Sequence, residues 1–303
     1  MLPVLTILHP LVDACSVGVL VAGGMTWERV IVYNAIAFAM QLPLGVSLDM
    51  WPRLLQKGFF AGTGLVFAAA IAAAFGVGGW GILAAACAGN ALFHLTAGKH
   101  ILEVHEGRAG PIGLFISTGA IGLMAGQVWA AKAAGICLWS FAVALGACMV
   151  GAAATGKRPI VPVGAAATGK RPVVPVHPEL ILVGLFALIA WRSWAGLFAN
   201  GRSAGGCALM MLMGAVVTFT GKVAGGYLAE RVGRWKVTIF SVMGSVALAF
   251  FCEPSWIATW LVLLFVAQLA TGPALSLVYD RVSAHGGTAF GFNCLGLFAG
   301  GLL

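Results

Sequence analysis

Three residues near the N-terminus have the types and the spacing that proton exchange requires. His9, Asp13 and Ser16 lie in the stretch HPLVDACS, and intervals of four and three residues place their side chains on one face of a helix. Imidazole and carboxyl groups both bind and release protons, and an apolar environment penalises the charged carboxylate. Asp13 is therefore the expected proton-coupling residue, with His9 as a second candidate. The alternative for both is a structural hydrogen bond or ion pair.

Further polar residues interrupt apolar stretches in the rest of the chain. Arg192 stands between two tryptophans in AWRSWAG. It is expected either to pair with Asp13 or to bind an anionic group of a small-molecule substrate with its planar guanidinium. The flanking tryptophans are more typical of packing than of a substrate cage. Asn90 and His94 are one helical turn apart. The predicted substrate-binding residues are Arg192, Asn90, His94, Trp191, Trp194, Gln41 and Gln268.

Two motifs resemble known ligand sites but are not predicted to bind a metal or a nucleotide. The run Lys99, His100, Glu103, His105 and Glu106 has no zinc-binding spacing, and a solvated helix end is expected there. The sequence GAAATGKR occurs at 151–158 and again at 164–171. A phosphate-binding loop needs Ser or Thr after its Lys, where this chain has Arg158 and Arg171. We therefore predict no nucleotide, no cofactor and no metal.

The composition indicates an integral membrane protein. Hydrophobic residues make up 61% of the chain and charged residues 9%, whereas a soluble domain carries about 25% charged residues. Runs long enough to cross a bilayer must be helices, because only helices satisfy their own backbone in lipid. We predict eleven spans, at 3–24, 29–48, 56–77, 80–98, 109–130, 133–153, 179–199, 204–228, 236–253, 256–278 and 287–303.

The distribution of basic residues predicts the orientation in the membrane. Twelve of the seventeen Lys and Arg residues fall in loops after even-numbered spans, and three fall in the opposite loops. Cytoplasmic loops carry such an excess, so the N-terminus and the even-numbered loops are expected in the cytoplasm, most simply at a bacterial inner (plasma) membrane. The basic linker is expected to lie against anionic membrane lipids. The positive net charge therefore does not indicate a nucleic-acid partner.

Two short matches indicate an internal repeat. The segment GVSLDMWPR from Gly45 aligns with GYLAERVGR from Gly226 at an offset of 181 residues, and GNALFHL from Gly89 aligns with GPALSLV from Gly272 at an offset of 183. Two matches at nearly one offset, both at equivalent span ends, predict two homologous halves of six spans each.

Residues 226–236, GYLAERVGRWK, resemble the signature G-x-L-[AS]-D-R-x-G-R-[RK] that lies between the second and third helices of the major facilitator superfamily. The copy from Gly45 departs from it, with Met50 in place of Arg and Pro52 in place of Gly. The resemblance implies alternating access between two bundles. It also implies that the acids and bases of the two signature loops latch the cytoplasmic side. These gating residues are Asp49, Arg53, Glu230, Arg231 and Arg234.

The predicted fold is an all-α integral membrane protein with two pseudo-symmetric six-helix bundles, of which about eleven helices are present. The domains are an N-terminal bundle at 1–153, a cytoplasmic linker with a 13-residue tandem repeat at 154–178, and a C-terminal bundle at 179–303. By the repeat offset, the sixth span has a partner near 315–335. Because the sequence ends at 303, we expect the twelfth helix to be missing.

The predicted function is secondary active transport, not enzymatic catalysis. The expected partners are a small-molecule substrate, protons and membrane lipids, and export of a small organic solute is slightly favoured because the cavity is expected to be mostly apolar. Three alternatives stay open. They are an uncoupled facilitator or lipid transporter of the same fold, a membrane enzyme such as an acyl or glycosyl transferase, and a non-transporting protein of this fold.

Overall fold

The described part of the chain is helical and apolar. A computed structural model describes residues 2–154, 178–203, 208–251 and 257–302, and within these residues every regular element is a helix. Nine helical stretches in this part are long and apolar enough to cross a membrane. The linker with its tandem repeat lies outside the described residues, apart from its first and last positions. The structure confirms the predicted all-α class.

The first half contains six helices and two short irregular segments. A π-helical segment (Ala35–Ala39) joins α2 to α3, so that the three together form the predicted second span. A 3₁₀ turn (Pro52–Leu54) leads into α4. The helices are α1 (Leu2–Ala22), α2 (Trp27–Asn34), α3 (Gln41–Met50), α4 (Leu55–Ala74), α5 (Trp80–Val104) and α6 (Ala109–Ala154).

The described residues of the second half also form six helices. The predicted tenth span is divided between α10 and α11, with a break at residues 269–270. Gly233, whose φ of 105° is one that residues with a side chain rarely adopt, separates α8 from α9 inside the signature loop. The helices are α7 (Pro178–Ser203), α8 (Ala208–Val232), α9 (Arg234–Phe251), α10 (Ile257–Gln268), α11 (Thr271–Arg281) and α12 (Gly286–Gly301).

Helix α6 differs from the prediction of two separate helices. It comprises 46 residues, which would extend about 69 Å if straight, more than twice the hydrocarbon thickness of a bilayer. Ala130 and Leu138 nevertheless both lie within 4 Å of the Cβ position of Gly18, although eight residues of straight helix span about 12 Å. The chain therefore bends sharply between them, and α6 covers both predicted spans, 109–130 and 133–153.

The most extensive contacts between the two halves are those of α3 with α12 and of α6 with α8. The backbones of α3 and α12 touch at two glycines. A Cβ added to Gly45 would lie 2.2 Å from the carbonyl oxygen of Gly287, and one added to Gly287 would lie 2.4 Å from that of Gly45. Small residues permit such close approach of membrane helices. This contact requires glycine on both sides.

We expect Gly45→Val to separate α3 from α12 and to lower the stability of the protein by about 1–3 kcal/mol, the usual cost of overpacking. Thermal unfolding of the purified protein in detergent measures the change. Gly64→Val is the matched control, because a Cβ at Gly64 in α4 meets nothing within 4 Å. Equal unfolding temperatures for the two variants would contradict the close packing at Gly45.

Candidate functional site

Two helices of the first half bring a carboxylate, two imidazoles and an amide together. His9 and Asp13 are four residues apart on α1, and Asn90 and His94 are four apart on α5, so that each pair faces the other helix. The Nε2 atoms of His9 and His94 lie 3.2 and 3.3 Å from the carboxylate oxygens of Asp13. Asn90 Nδ2 donates to Asp13 Oδ1 (3.1 Å) and to Ser16 Oγ (3.3 Å). This cluster, here called the α1–α5 cluster, is buried except for the half-buried His94.

The hydrogen bonds of the α1–α5 cluster indicate how its protons are arranged. His9 Nδ1 lies 2.7 Å from the carbonyl oxygen of Phe115, and His94 Nδ1 lies 2.9 Å from that of Asn90. A carbonyl oxygen only accepts, so each Nδ1 must carry a hydrogen. The two Nε2 atoms lie 2.7 Å apart, and in two neutral rings both would present lone pairs. One additional proton shared between them turns this repulsion into a hydrogen bond and balances the charge of Asp13.

The ligand atoms of His9, Asp13 and His94 lie within 4.8 Å of one another, a set that a metal ion can also use. Two imidazole nitrogens bound to one ion at about 2.0–2.1 Å stand about 3 Å or more apart in tetrahedral or octahedral geometry. The observed 2.7 Å between the Nε2 atoms is shorter. A shared proton therefore fits this arrangement better than a metal ion does.

A second polar group surrounds Arg192 in the other half. Arg192 Nη1 donates to Thr271 Oγ1 (2.8 Å) and to Gln268 Oε1 (3.2 Å), and Thr271 Oγ1 donates to the same Gln268 oxygen (3.1 Å). The helix break between α10 and α11 places the last residue of one and the first of the other beside the guanidinium. Arg192 does not pair with Asp13 in this structure, which was one of its two expected roles.

Lys222 lies between the two polar groups, although a lysine near the end of a span can extend its side chain to the membrane surface. Its Nζ points instead to the carbonyl oxygen of Ile116 (3.4 Å) in the other half, one residue beyond the carbonyl that binds His9. Lys222 is close enough to both Asp13 and Arg192 for their charges to interact. Its place inside the predicted span 204–228 is the sequence signal for a functional residue.

The remaining predicted substrate residues occupy other places. Trp191 Nε1 donates to Ser245 Oγ on α9 (3.0 Å), and its ring packs against that of Trp194 at 5.0 Å between centroids. Gln41 is buried at the start of α3, where its Nε2 donates to Ala37 O (2.6 Å) and its Oε1 has no partner. The structure therefore joins Asn90 and His94 to Asp13, and Gln268 to Arg192, but not the other three.

The acid of the first signature loop connects the two halves. Asp49 on α3 accepts hydrogen bonds from the backbone N–H groups of Gly287 (3.0 Å) and Thr288 (2.7 Å) at the start of α12, where the helix dipole favours a negative charge. Lys99 Nζ lies 2.6 Å from Asp49 and also binds Glu103. Lys99 is only 4% exposed, so the predicted solvated helix end is wrong at this position.

The acid of the second signature loop makes the reciprocal connection. Glu230 on α8 accepts from the N–H of Gly110 (3.0 Å) at the start of α6 and from Arg108 Nη2 (2.8 Å). Arg234 donates to Ser276 Oγ and pairs with Asp280 (both 2.7 Å), within its own half. The predicted gating residues Arg53 and Arg231 are exposed. Asp49 and Glu230 are thus the two that cross the interface.

The hydrogen bond from Arg108 to Glu230 raises the pKa of Arg108, so its positive charge persists at all physiological pH values. Partial burial and the nearby Arg108 lower the pKa of His105 in the same loop. A lowered histidine pKa means that the folded state prefers the neutral ring. Above pH 7, Arg108 therefore stays charged and His105 stays neutral, so the charges at this end of the interface change little.

The fold and the site define a class of protein: a multi-pass integral membrane protein with two helical halves, buried ionisable groups and reciprocal connections at one end. Its fold is that of the major facilitator superfamily transporters, as predicted. A structure of the Escherichia coli fucose:proton symporter FucP is similar over 99% of this chain and 89% of its own, with 11% identity and a TM-score of 0.68. A structure of FucP in the outward conformation has the same coverage and TM-score, at 12% identity.

A bacterial homologue of the iron transporter ferroportin in its outward-facing state is similar over 99% of this chain and 90% of its own, with 14% identity and a TM-score of 0.57. The same homologue with soaked iron gives 17% identity and the same TM-score. No protein-family model and no curated protein matches the sequence. These likenesses show the fold.

Proposed function

We propose that this protein is a secondary active transporter that moves a small organic solute by alternating access, coupled to protons. The observation that carries the proposal is the α1–α5 cluster, where the contact between His9 and His94 requires one proton beside the Asp13 carboxylate. The cluster is buried and lies next to Lys222 of the other half. A proton bound there is therefore positioned to influence how the halves pack.

The moving units of the proposal are the two bundles, 1–153 and 179–303, connected by the linker at 154–178. The connections made by Asp49 and Glu230 join the bundles at one end, and they are available only when that end is closed. Differential contacts of this kind are what a conformational switch requires. The same end carries the basic signature loops, which the charge distribution places in the cytoplasm with the N-terminus. This conformation is then open to the outside.

The substrate site of the proposal lies between the two polar groups. Asn90 and His94 face it from the first half, and Arg192 with Gln268 faces it from the second. Trp191 and Trp194 support the helix that carries Arg192, because they pack on α9 and on each other. Gln41 lies beside α12 of the other bundle, where it would take part in the movement of the two bundles against each other. A bacterial inner membrane supplies the proton gradient.

The proposal is tested by flux into proteoliposomes that contain the purified protein, with a panel of labelled solutes and with an imposed pH gradient or none. We expect at least one solute to accumulate only with the gradient, in either direction. Flux that ignores the gradient would indicate an uncoupled facilitator instead. Absence of protein-dependent flux across the panel, with lipid probes included, would favour a non-transporting protein.

A further inference from the structure

The interior contains two cations for which the described residues offer no carboxylate partner. Arg192 is 5% exposed, and its hydrogen-bond partners are the uncharged oxygens of Gln268 and Thr271. Lys222 donates to a backbone carbonyl. The ion pairs in the described part of the chain involve other bases. A charge inside a membrane protein is costly unless another charge balances it.

Asp13 does not balance these cations. Both of its oxygens are engaged by the α1–α5 cluster, and the proton shared by His9 and His94 already compensates its charge. Arg192 and Lys222 therefore have no carboxylate of their own among the described residues. The two lie close enough to interact, because Gly221, the residue before Lys222, packs against the side chain of Gln268. Like charges this close to each other favour a negatively charged third group between them.

The geometry around Arg192 also leaves hydrogen-bond donors unused. Its Nε is buried and has no hydrogen-bond partner among the described residues, while the bonds from Nη1 hold the guanidinium plane in place. Gln268 turns its oxygen toward Arg192 and Thr271, so its amide nitrogen is left to donate. The N-terminus of the eleven-residue helix α11 begins at Thr271 and adds a partial positive charge.

We infer that the substrate is a small organic anion with a carboxylate or phosphate-type group, held by Arg192 and Lys222. The guanidinium offers two parallel donors to such a group, and the ammonium group of Lys222 acts as a point charge. This inference rests on the proposed function and names the substrate class of the same site. It differs from the fucose and iron that appear in the names of the similar structures.

The test uses matched probes on the full-length protein in detergent, read as ligand-induced shifts in thermal unfolding temperature. The anions are benzoate, succinate and phenyl phosphate, and the neutral partners are benzamide, succinamide and phenol. Benzylamine, fucose and Fe²⁺ complete the panel. We expect at least one anion to stabilise the protein saturably, at concentrations about tenfold or more below its neutral partner. A panel in which no anion binds more tightly than its neutral partner overturns the inference.

Variants then assign the binding to the two cations. We expect Arg192→Gln to raise the apparent Kd of the stabilising anion by about 10- to 100-fold, the loss typical of a charged hydrogen bond, and Lys222→Gln to raise it by about tenfold. Arg192→Lys keeps the charge but loses the fork, so intermediate affinity is expected. Lys57→Gln is the control, because Lys57 is exposed. Undiminished anion affinity in both Gln variants overturns the inference.

The binding test and the flux test fail independently. Anion binding without gradient-driven flux would reject the proposed function and keep the anion site. Gradient-driven flux confined to neutral or cationic solutes would keep the proposed function and reject the anion. Lys222→Gln serves as the second variant if Arg192→Gln does not fold. The comparison of anions with their neutral partners is made on the wild-type protein and needs neither variant.

Discussion

Asp13→Asn is expected to abolish proton-driven accumulation, down to the level of protein-free liposomes, while the protein still folds. In the wild type, the Asp13 carboxylate and the two facing Nε2 lone pairs together require one proton. An amide at position 13 can keep its oxygen toward Asn90 and donate its own N–H to His9 Nε2. The cluster is then neutral without the additional proton, so proton binding no longer distinguishes one conformation from the other.

The measurement compares gradient-driven accumulation with exchange at equal pH on both sides. We expect Asp13→Asn to lose gradient-driven accumulation and to keep exchange, since exchange needs only the loaded protein to change conformation. Glu28→Gln is the matched acid-to-amide control, because Glu28 is an exposed residue of the same half. Accumulation by Asp13→Asn at the wild-type level would exclude Asp13 from proton coupling.

The sequence predicted the fold because its main determinants are local. Long apolar runs, their charged boundaries and the repeat at an offset of 181 residues each follow from a few adjacent positions. Other features were not predicted. Helix α6 continues through residues 131–132, where a loop between two spans was expected. The breaks around 35–39 and 269–270 each lie just before a proline, Pro43 and Pro273, whose missing N–H removes the helical hydrogen bond to the carbonyl four residues earlier.

The sequence identified individual residues of the site, but not which of them are in contact. Asp13, His94 and Arg192 were marked by a polar side chain in an apolar run, but which of them meet depends on how α1 and α5 face each other across 77 residues of sequence. Lys99 was misread because its partner Asp49 lies 50 residues away. The position of Lys222 beside the first-half cluster required both halves to be placed together.

The combined substitution of Asp49→Asn and Glu230→Gln is expected to open the cytoplasmic side. Each carboxylate accepts backbone N–H groups at the start of a helix in the opposite half and binds one base. Charged hydrogen bonds of this kind contribute about 1–3 kcal/mol each, and the two sites share no partner, so their effects add. A total of about 2–6 kcal/mol approaches the roughly 5.5 kcal/mol that reverses a 99:1 population.

Spin labels on Leu54→Cys and Trp235→Cys measure the opening, because both positions are exposed, Leu54 in the 3₁₀ turn after α3 and Trp235 in the first turn of α9. We expect one short interlabel distance in the parent protein and a dominant longer one in the double variant, with each single variant populating both. Cys15, Cys87 and Cys294 are buried and are not expected to react with the label, and the other four cysteines, Cys137, Cys148, Cys207 and Cys252, are replaced by Ala in the labelled protein. Glu106→Gln is the control, because Glu106 is an exposed acid in the neighbouring loop and its substitution removes the same charge as each single variant does. An unchanged distance in the double variant would show that the glycine contact between α3 and α12, rather than the two acids, holds the halves together.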